Sequence, residues 1–213
     1  KRQVLVIGGG PAGIQAAREA GEAGERVLLV EQMPWLGGSI EKPTTDADTL
    51  AEMGNVTVMT RTTAFGQYDG NCFALVERVA DHVPVPPEGQ PRQRSWVARA
   101  KRVVFATGAH ERPLVFRNND LPGVMLASAA RDYVNRFAAR PGRNAVVFTN
   151  NDSAYEATLD LSAAGVDVSL LVDARAAIPA TLAAKVREAG IEILAGAVVT
   201  RAKGFGKLRA VNV

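Results

Sequence analysis

The chain has 213 residues, 47% of them hydrophobic and 22% charged, the balance of a soluble globular protein with room for one large or two small domains. Its net charge is +3, from 25 basic and 22 acidic residues; with the arginines scattered, this excludes a nucleic-acid footprint in favour of a mixed solvated surface. A single cysteine, Cys72, excludes an internal disulfide or a zinc spacing, and its apolar run at residues 72–76 marks it as a small buried hydrophobe.

Residues 4–7 are a continuous apolar run bounded by glycine, the pattern of a parallel strand buried on both faces. Residues 12–23 are alanine-rich and helical, Gly24 ends that helix, and residues 27–30 are a second buried strand. Strand-like stretches follow at 56–59, 63–68 and 73–79, then a proline-rich loop at 83–91. Two further strands are expected at 95–100 and 103–106, an irregular crossover at 112–123, and a helix at 126–138. A second strand–helix–strand unit occupies 145–148, 153–164 and 166–172; a shift of 141 residues lays it on the first, with Gly24 on Gly165 and Val27 on Val168. A helix at 179–189, a strand at 191–194 and a hairpin at 198–213 complete the chain. The expected fold class is therefore α/β, with two Rossmann-like βαβ dinucleotide-binding domains at residues 1–112 and 113–213, the second incomplete. Because the chain starts at Lys1 rather than Met and stops within a strand, it reads as a piece of a longer protein. No apolar run approaches the ~20 residues that span a bilayer. With no signal peptide pattern either, the expected location is cytoplasmic.

Between the first strand and helix lies Gly8-Gly9-Gly10-Pro11-Ala12-Gly13, a G-x-G-x-x-G sequence. Gly8 permits the tight turn, Gly10 lets a pyrophosphate approach the backbone, and Gly13 lets the helix pack closely on the sheet. The free amides of the helix start, including those around Pro11 and Ala12, hold the phosphates. Glu31 ends the second strand, where a carboxylate accepts hydrogen bonds from the adenosine ribose hydroxyls and repels a 2′-phosphate. The expected ligand is NAD or FAD rather than NADP.

Three further segments accompany the loop: Leu36-Gly37-Gly38, the 103–108 run ending in Ala106-Thr107-Gly108, and Leu121-Pro122-Gly123-Val124. Together these resemble the two-dinucleotide-domain flavoproteins, which include thioredoxin and glutathione reductases. A closer resemblance lies in Gly108-Ala109-His110-Glu111-Arg112-Pro113-Leu114-Val115-Phe116, in Met125-Leu126-Ala127-Ser128 and in Thr149-Asn150-Asn151-Asp152-Ser153-Ala154-Tyr155. These strings are similar to the alpha subunit of heterotetrameric sarcosine oxidase and its amine-oxidising relatives, over nearly the whole chain. The resemblance implies NAD at the first loop (FAD being the alternative) and FMN at the interface with a beta subunit. The beta subunit and further subunits are the implied partners, and the partner carries the oxidation of sarcosine or a similar secondary amine. It also adds Gln32, Gly38, Ser39, Ala64 (near the adenine), Thr107 and Gly108 to the candidate contacts. No catalytic residue and no metal ligand is assigned here. Between Gly38 and Asn55 the chain is shorter than the family pattern, with no clear long helix.

At the shift of 141, Gly8, Gly10 and Gly13 become Thr149, Asn151 and Ala154. Side chains at the first two positions crowd a pyrophosphate, so the second domain is expected to keep the fold and lack the usual NADH site. Asn150, Asn151 and Asp152 either meet another ligand, such as the FMN phosphate, or cap the following helix. A dithiol reductase is excluded for want of a second thiol. His82 reads as solvated and His110 as a structural hydrogen-bonding residue. Two rivals remain: a self-contained FAD-dependent NADH oxidoreductase, and a non-catalytic dinucleotide-binding scaffold.

Overall fold

The computed structural model describes residues 2–38, 49, 50 and 52–213. The chain divides into two compact units, Lys1–Ala109 and His110–Val213. Among the described residues no helix is long and apolar enough to cross a membrane.

In the first unit, β1 (Arg2–Ile7), β2 (Val27–Val30) and β3 (Val56–Met59) run parallel, and α1 (Pro11–Glu22) connects β1 to β2. β4 (Thr62–Tyr68), β5 (Cys72–Arg78) and β6 (Gln93–Phe105) form an antiparallel meander. The six strands make one sheet in the order β3-β2-β1-β6-β5-β4. Alternation along β1 explains its unbroken apolar run. Val4 and Val6 pack with Ile14, Ala17 and Leu29 on the helix side. Leu5 and Ile7 pack with Phe73, Leu75 and Ala98, which the meander lays over the opposite face. Fully buried side chains such as Leu5 and Leu29 contribute roughly 1.5–3 kcal/mol each. Pro11 at the first turn suits the start of α1, where its missing amide costs nothing.

Two expected strands at 95–100 and 103–106 are one. β6 runs unbroken for 13 residues, pairing antiparallel with β5 through its first half and parallel with β1 through its second. The polar Lys101-Arg102 pair interrupts the apolar pattern, but both side chains are exposed and neither residue bends the backbone. Cys72, expected buried, is half-buried at the start of β5. Most of the short 38–55 stretch lies outside the described residues.

In the second unit, α2 (Ala127–Phe137) precedes a three-stranded parallel sheet of β7 (Asn144–Thr149), β8 (Asp167–Asp173) and β9 (Glu192–Ala195). α3 (Ser153–Ala163) and α4 (Ala180–Glu188) are its crossovers, and β10 (Arg201–Gly204) and β11 (Leu208–Asn212) form a separate hairpin. Tyr155, Leu161, Leu171, Val186 and Ile191 centre the core. A bulge shifts the β7–β8 register between Ala145 and Val146. Glu111 accepts a hydrogen bond from the Ser128 amide at 2.8 Å, and so caps α2, whose own Leu126 offers no side-chain cap.

Candidate functional site

Where β1 ends, Gly8 takes φ +104°, and a Cβ there would sit 2.3 Å from the Ala106 carbonyl oxygen. A Cβ on Gly13 would sit 1.9 Å from the Gly8 carbonyl oxygen. The protein itself therefore requires both glycines. Gly10 is different. Its φ of −74° and ψ of −177° suit any residue, and the nearest atom to a Cβ there is Gly38 Cα, 3.9 Å away. No described part of the chain demands glycine at position 10. A ligand lying close over the backbone would.

The helix start supplies donors. Pro11 has no amide hydrogen, and the Ile14 amide donates to the Gly10 carbonyl at 2.9 Å. Among the described residues, the amides of Gly10, Ala12 and Gly13 have no acceptor. The first turn of the helix holds no acidic side chain of its own to offset the partial positive charge of the helix end. Gly9 turns the other way. Its amide donates to Glu31 Oε2 at 2.6 Å, and its carbonyl accepts from the Gly37 amide at 2.8 Å. Glu31, only 7% exposed, also accepts from the Met33 amide through Oε1 at 2.7 Å. Each carboxylate oxygen keeps a further acceptor position.

Gly38 packs against the loop; a Cβ on it would lie 2.9 Å from Gly10 Cα. Ser39 lies outside the described residues. Gln32 is exposed, and its carbonyl accepts from the Arg78 guanidinium. Thr107 and Gly108 are exposed directly after Ala106, whose amide donates to the Ile7 carbonyl at 2.8 Å. Ala64 stands opposite Leu75 on β4, two residues beyond Thr62, whose amide donates to the Glu31 carbonyl at 2.8 Å. The structure thus gathers Gly8, Gly10, Pro11, Ala12, Gly13, Glu31 and Gly38 at the carboxyl ends of β1 and β2, with Thr107 beside Gly8. Open-sheet proteins bind ligands at such strand ends. Gly9 was missed from the sequence because the motif treats it as variable; three consecutive glycines were the available signal.

The second loop is closed on itself. Thr149, 3% exposed, has no positive φ, and its hydroxyl both accepts from the Asn151 amide (3.1 Å) and donates to the Asn151 carbonyl (3.0 Å). Asn151 Oδ1 accepts from the Ser153 amide (3.1 Å) and hydroxyl (2.6 Å), an Asx turn that satisfies the first helical amide from outside the N-cap Asp152, which makes no side-chain cap itself. Asp173 pairs with Thr149 in the ladder, the place that Glu31 holds beside Gly8. It is fully buried and accepts from Tyr155 Oη (2.9 Å) and from the Arg175 amide (2.9 Å), Nε (3.1 Å) and Nη2 (2.8 Å). Arg175 Nη1 reaches Asp152 at 2.7 Å. Burial alone would raise the Asp173 pKa, but the Arg175 and Tyr155 hydrogen bonds outweigh it and hold the carboxyl below its ordinary range. Burial, then the Asp173 contact, pushes the Tyr155 hydroxyl up to about 12.

Beyond the carboxyl ends of β7 and β8 lies an open cavity of about 460 Å³, lined by Leu114, Phe116, Phe148, Asn150, Ala174 and Thr200 among others. Its lining carries no charged side chain, so it offers a phosphate no counter-charge. His110, read from the sequence as a structural hydrogen-bonding residue, is exposed, and its ring makes no hydrogen bond among the described residues.

Comparison with known proteins bears on both units. Residues 2–213 match the family described as pyridine nucleotide-disulphide oxidoreductase. Sarcosine oxidase subunit alpha of Rhizobium meliloti (strain 1021) is 44% identical over 99% of this chain and 22% of its own length. The chain therefore spans about a fifth of that relative. The L-proline dehydrogenase of P. horikoshii superposes with a TM-score of 0.63 at 28% identity, over 99% of this chain and 38% of its own. Lactococcus lactis thioredoxin reductase gives a TM-score of 0.67 at 20% identity, over 99% and 70%, a likeness of fold.

Proposed function

We propose that this chain, which belongs to the pyridine nucleotide-disulphide oxidoreductase family, is the dinucleotide-binding part of the alpha subunit of a multi-subunit flavoenzyme. The whole enzyme would oxidatively demethylate sarcosine or a similar secondary amine. The observation that carries the binding reading is Gly10, a glycine no described part of the protein requires, whose amide, like those of Ala12 and Gly13, has no acceptor among the described residues. The amine-oxidising reading rests on the 44% identity with a protein named sarcosine oxidase subunit alpha.

NAD is the proposed occupant of the first loop. Gly10, Ala12 and Gly13 would hold its pyrophosphate and Glu31 its adenosine ribose, with Gln32, Gly38, Ser39, Ala64, Thr107 and Gly108 around them. FMN, placed where a beta subunit meets this chain, would carry electrons from the amine site. Of the second-loop residues that could meet it, Asn151 and Asp152 are engaged by Ser153 and Arg175, whereas Asn150 is exposed. The proposed domain limits are 1–112 and 113–213, three residues beyond the division at Ala109/His110, and the proposed compartment is the cytoplasm. A self-contained NADH oxidoreductase would need two dinucleotide sites, and the second loop is filled by its own Thr149, Asn151 and Arg175. Dithiol chemistry is absent from residues 1–213, which hold one cysteine.

Two measurements test this reading. Denaturing the intact protein and taking the mass and absorbance spectrum of what is released should give NAD; release of FAD, with no NAD binding afterwards, sinks the NAD assignment. Gly10→Ala should leave the melting temperature unchanged while weakening dinucleotide binding about tenfold or more, because the added methyl meets only the ligand. Equal affinity in the variant removes the observation on which the site rests.

A further inference from the structure

We propose that Glu31 positions the glycine loop as well as accepting ribose hydroxyls, and thereby decides which loop amides face the pyrophosphate; this rests on the dinucleotide reading above. Both of its oxygens are engaged by backbone donors, Gly9 to Oε2 at 2.6 Å and Met33 to Oε1 at 2.7 Å. The Gly37 amide fixes the next peptide, Gly9–Gly10, by donating to the Gly9 carbonyl at 2.8 Å. With the peptides on both sides of the Gly9 Cα tied to the protein, the Gly9 amide is spent on Glu31 and is withdrawn from any ligand. Gly10, Ala12 and Gly13 are left as the donors.

The same strap makes position 9 a constrained glycine. A Cβ there would lie 2.5 Å from Leu36 Cδ2, 3.0 Å from Glu31 Cβ and 3.1 Å from Glu31 Oε2. Its φ is not positive, so the constraint is the approach of Leu36 and Glu31 and not the backbone angle. A carboxylate is the side chain that fits two converging N–H donors, because it accepts at both oxygens. Glutamine has the same shape and fails: whichever way its amide turns, an NH₂ meets one of the two backbone donors.

The test separates loop positioning from ribose contact. The intact protein, freed of bound nucleotide, is titrated with ADP and with 2′,3′-dideoxy-ADP, which lacks the hydroxyls Glu31 would receive. Glu31→Gln should weaken the dideoxy ligand about tenfold, and ADP by at least as much. Gly9→Ala, which keeps the carboxylate, should weaken both ligands by a similar factor, and it decides the matter if the glutamine variant does not fold. Dideoxy affinity within twofold of wild type in the folded variants overturns the proposal, even if their melting temperatures fall. Wild-type protein that binds neither ligand overturns the dinucleotide reading instead.

Discussion

The two units place the same strand–loop–helix at the same ladder position and use it in opposite ways. In the first, Glu31 ties down the Gly9 and Met33 amides, and those of Gly10, Ala12 and Gly13 are left without acceptors among the described residues. In the second, Asp173 is met by four donors, Asn151 holds the Ser153 amide in an Asx turn and Arg175 spans Asp173 and Asp152. A loop open to a ligand and a loop satisfied by its own side chains thus differ in where the hydrogen bonds end, on strands that differ by the one bulge in the β7–β8 ladder. The glycines follow from that difference, since a loop that supplies its own partners needs side chains where a ligand-binding loop needs space.

The largest effect expected from this contrast falls on the self-satisfied side. Asp173→Asn removes a buried charge paired with Arg175 and should cost about 4 kcal/mol of stability in urea unfolding, with dinucleotide affinity intact. Lost affinity would show that the second loop serves the ligand after all. Gly13→Ala should cost about 3 kcal/mol and abolish binding together, because its methyl meets the Gly8 carbonyl. Full binding in a stable Gly13→Ala variant would break the distinction between protein-required Gly13 and ligand-required Gly10.

The pH dependence should be two-sided and should belong to the second unit. Asp173, held below its ordinary range, gives stability that is present at neutral pH and lost as pH falls through its lowered pKa. Tyr155, raised to about 12, gives stability that is complete below pH ~10 and lost as pH rises toward 12, about 3 kcal/mol in all. Tyr155→Phe should remove the alkaline limb in a melting-temperature series; an unchanged limb assigns it elsewhere. The smallest effect is a null one. Thr149→Gly with Asn151→Gly should leave the intact protein binding one dinucleotide per chain by equilibrium dialysis, because Asp173 and Arg175 still occupy the acid position. A second bound equivalent would show that glycine loss alone closed the second loop.

Much of the frame was legible in the sequence, because burial imposes its own periods. β1, β2 and α1 were readable since both faces of a parallel strand and one face of a helix must be apolar. What escaped was set by contacts between distant segments. The constant shift of 141 places apolar Val172 on Glu31, because the bulge at Ala145/Val146 inserts one residue and moves the acid to Asp173. The single length of β6 was hidden because surface cations at 101 and 102 look like an interruption in a one-dimensional pattern. The role of Gly9 depends on Leu36 and Glu31 arriving beside it, which no local spacing reports.

β6 also governs the order of events during folding. β1 finds its second neighbour in Ala100–Phe105, almost the whole length of the unit away, and Ala106 closes the wall behind Gly8. A contact of such sequence separation forms late, since a long loop must close before the pairing rewards it. The glycine loop therefore has its full binding shape only when the meander is in place, since Ala106, directly after β6, forms the wall behind Gly8. In the second unit, β7, α3 and β8 are near neighbours in sequence and need no such wait. A ligand that captures the finished first unit would then act as a folding brake on its unfolding rather than as a template for its assembly.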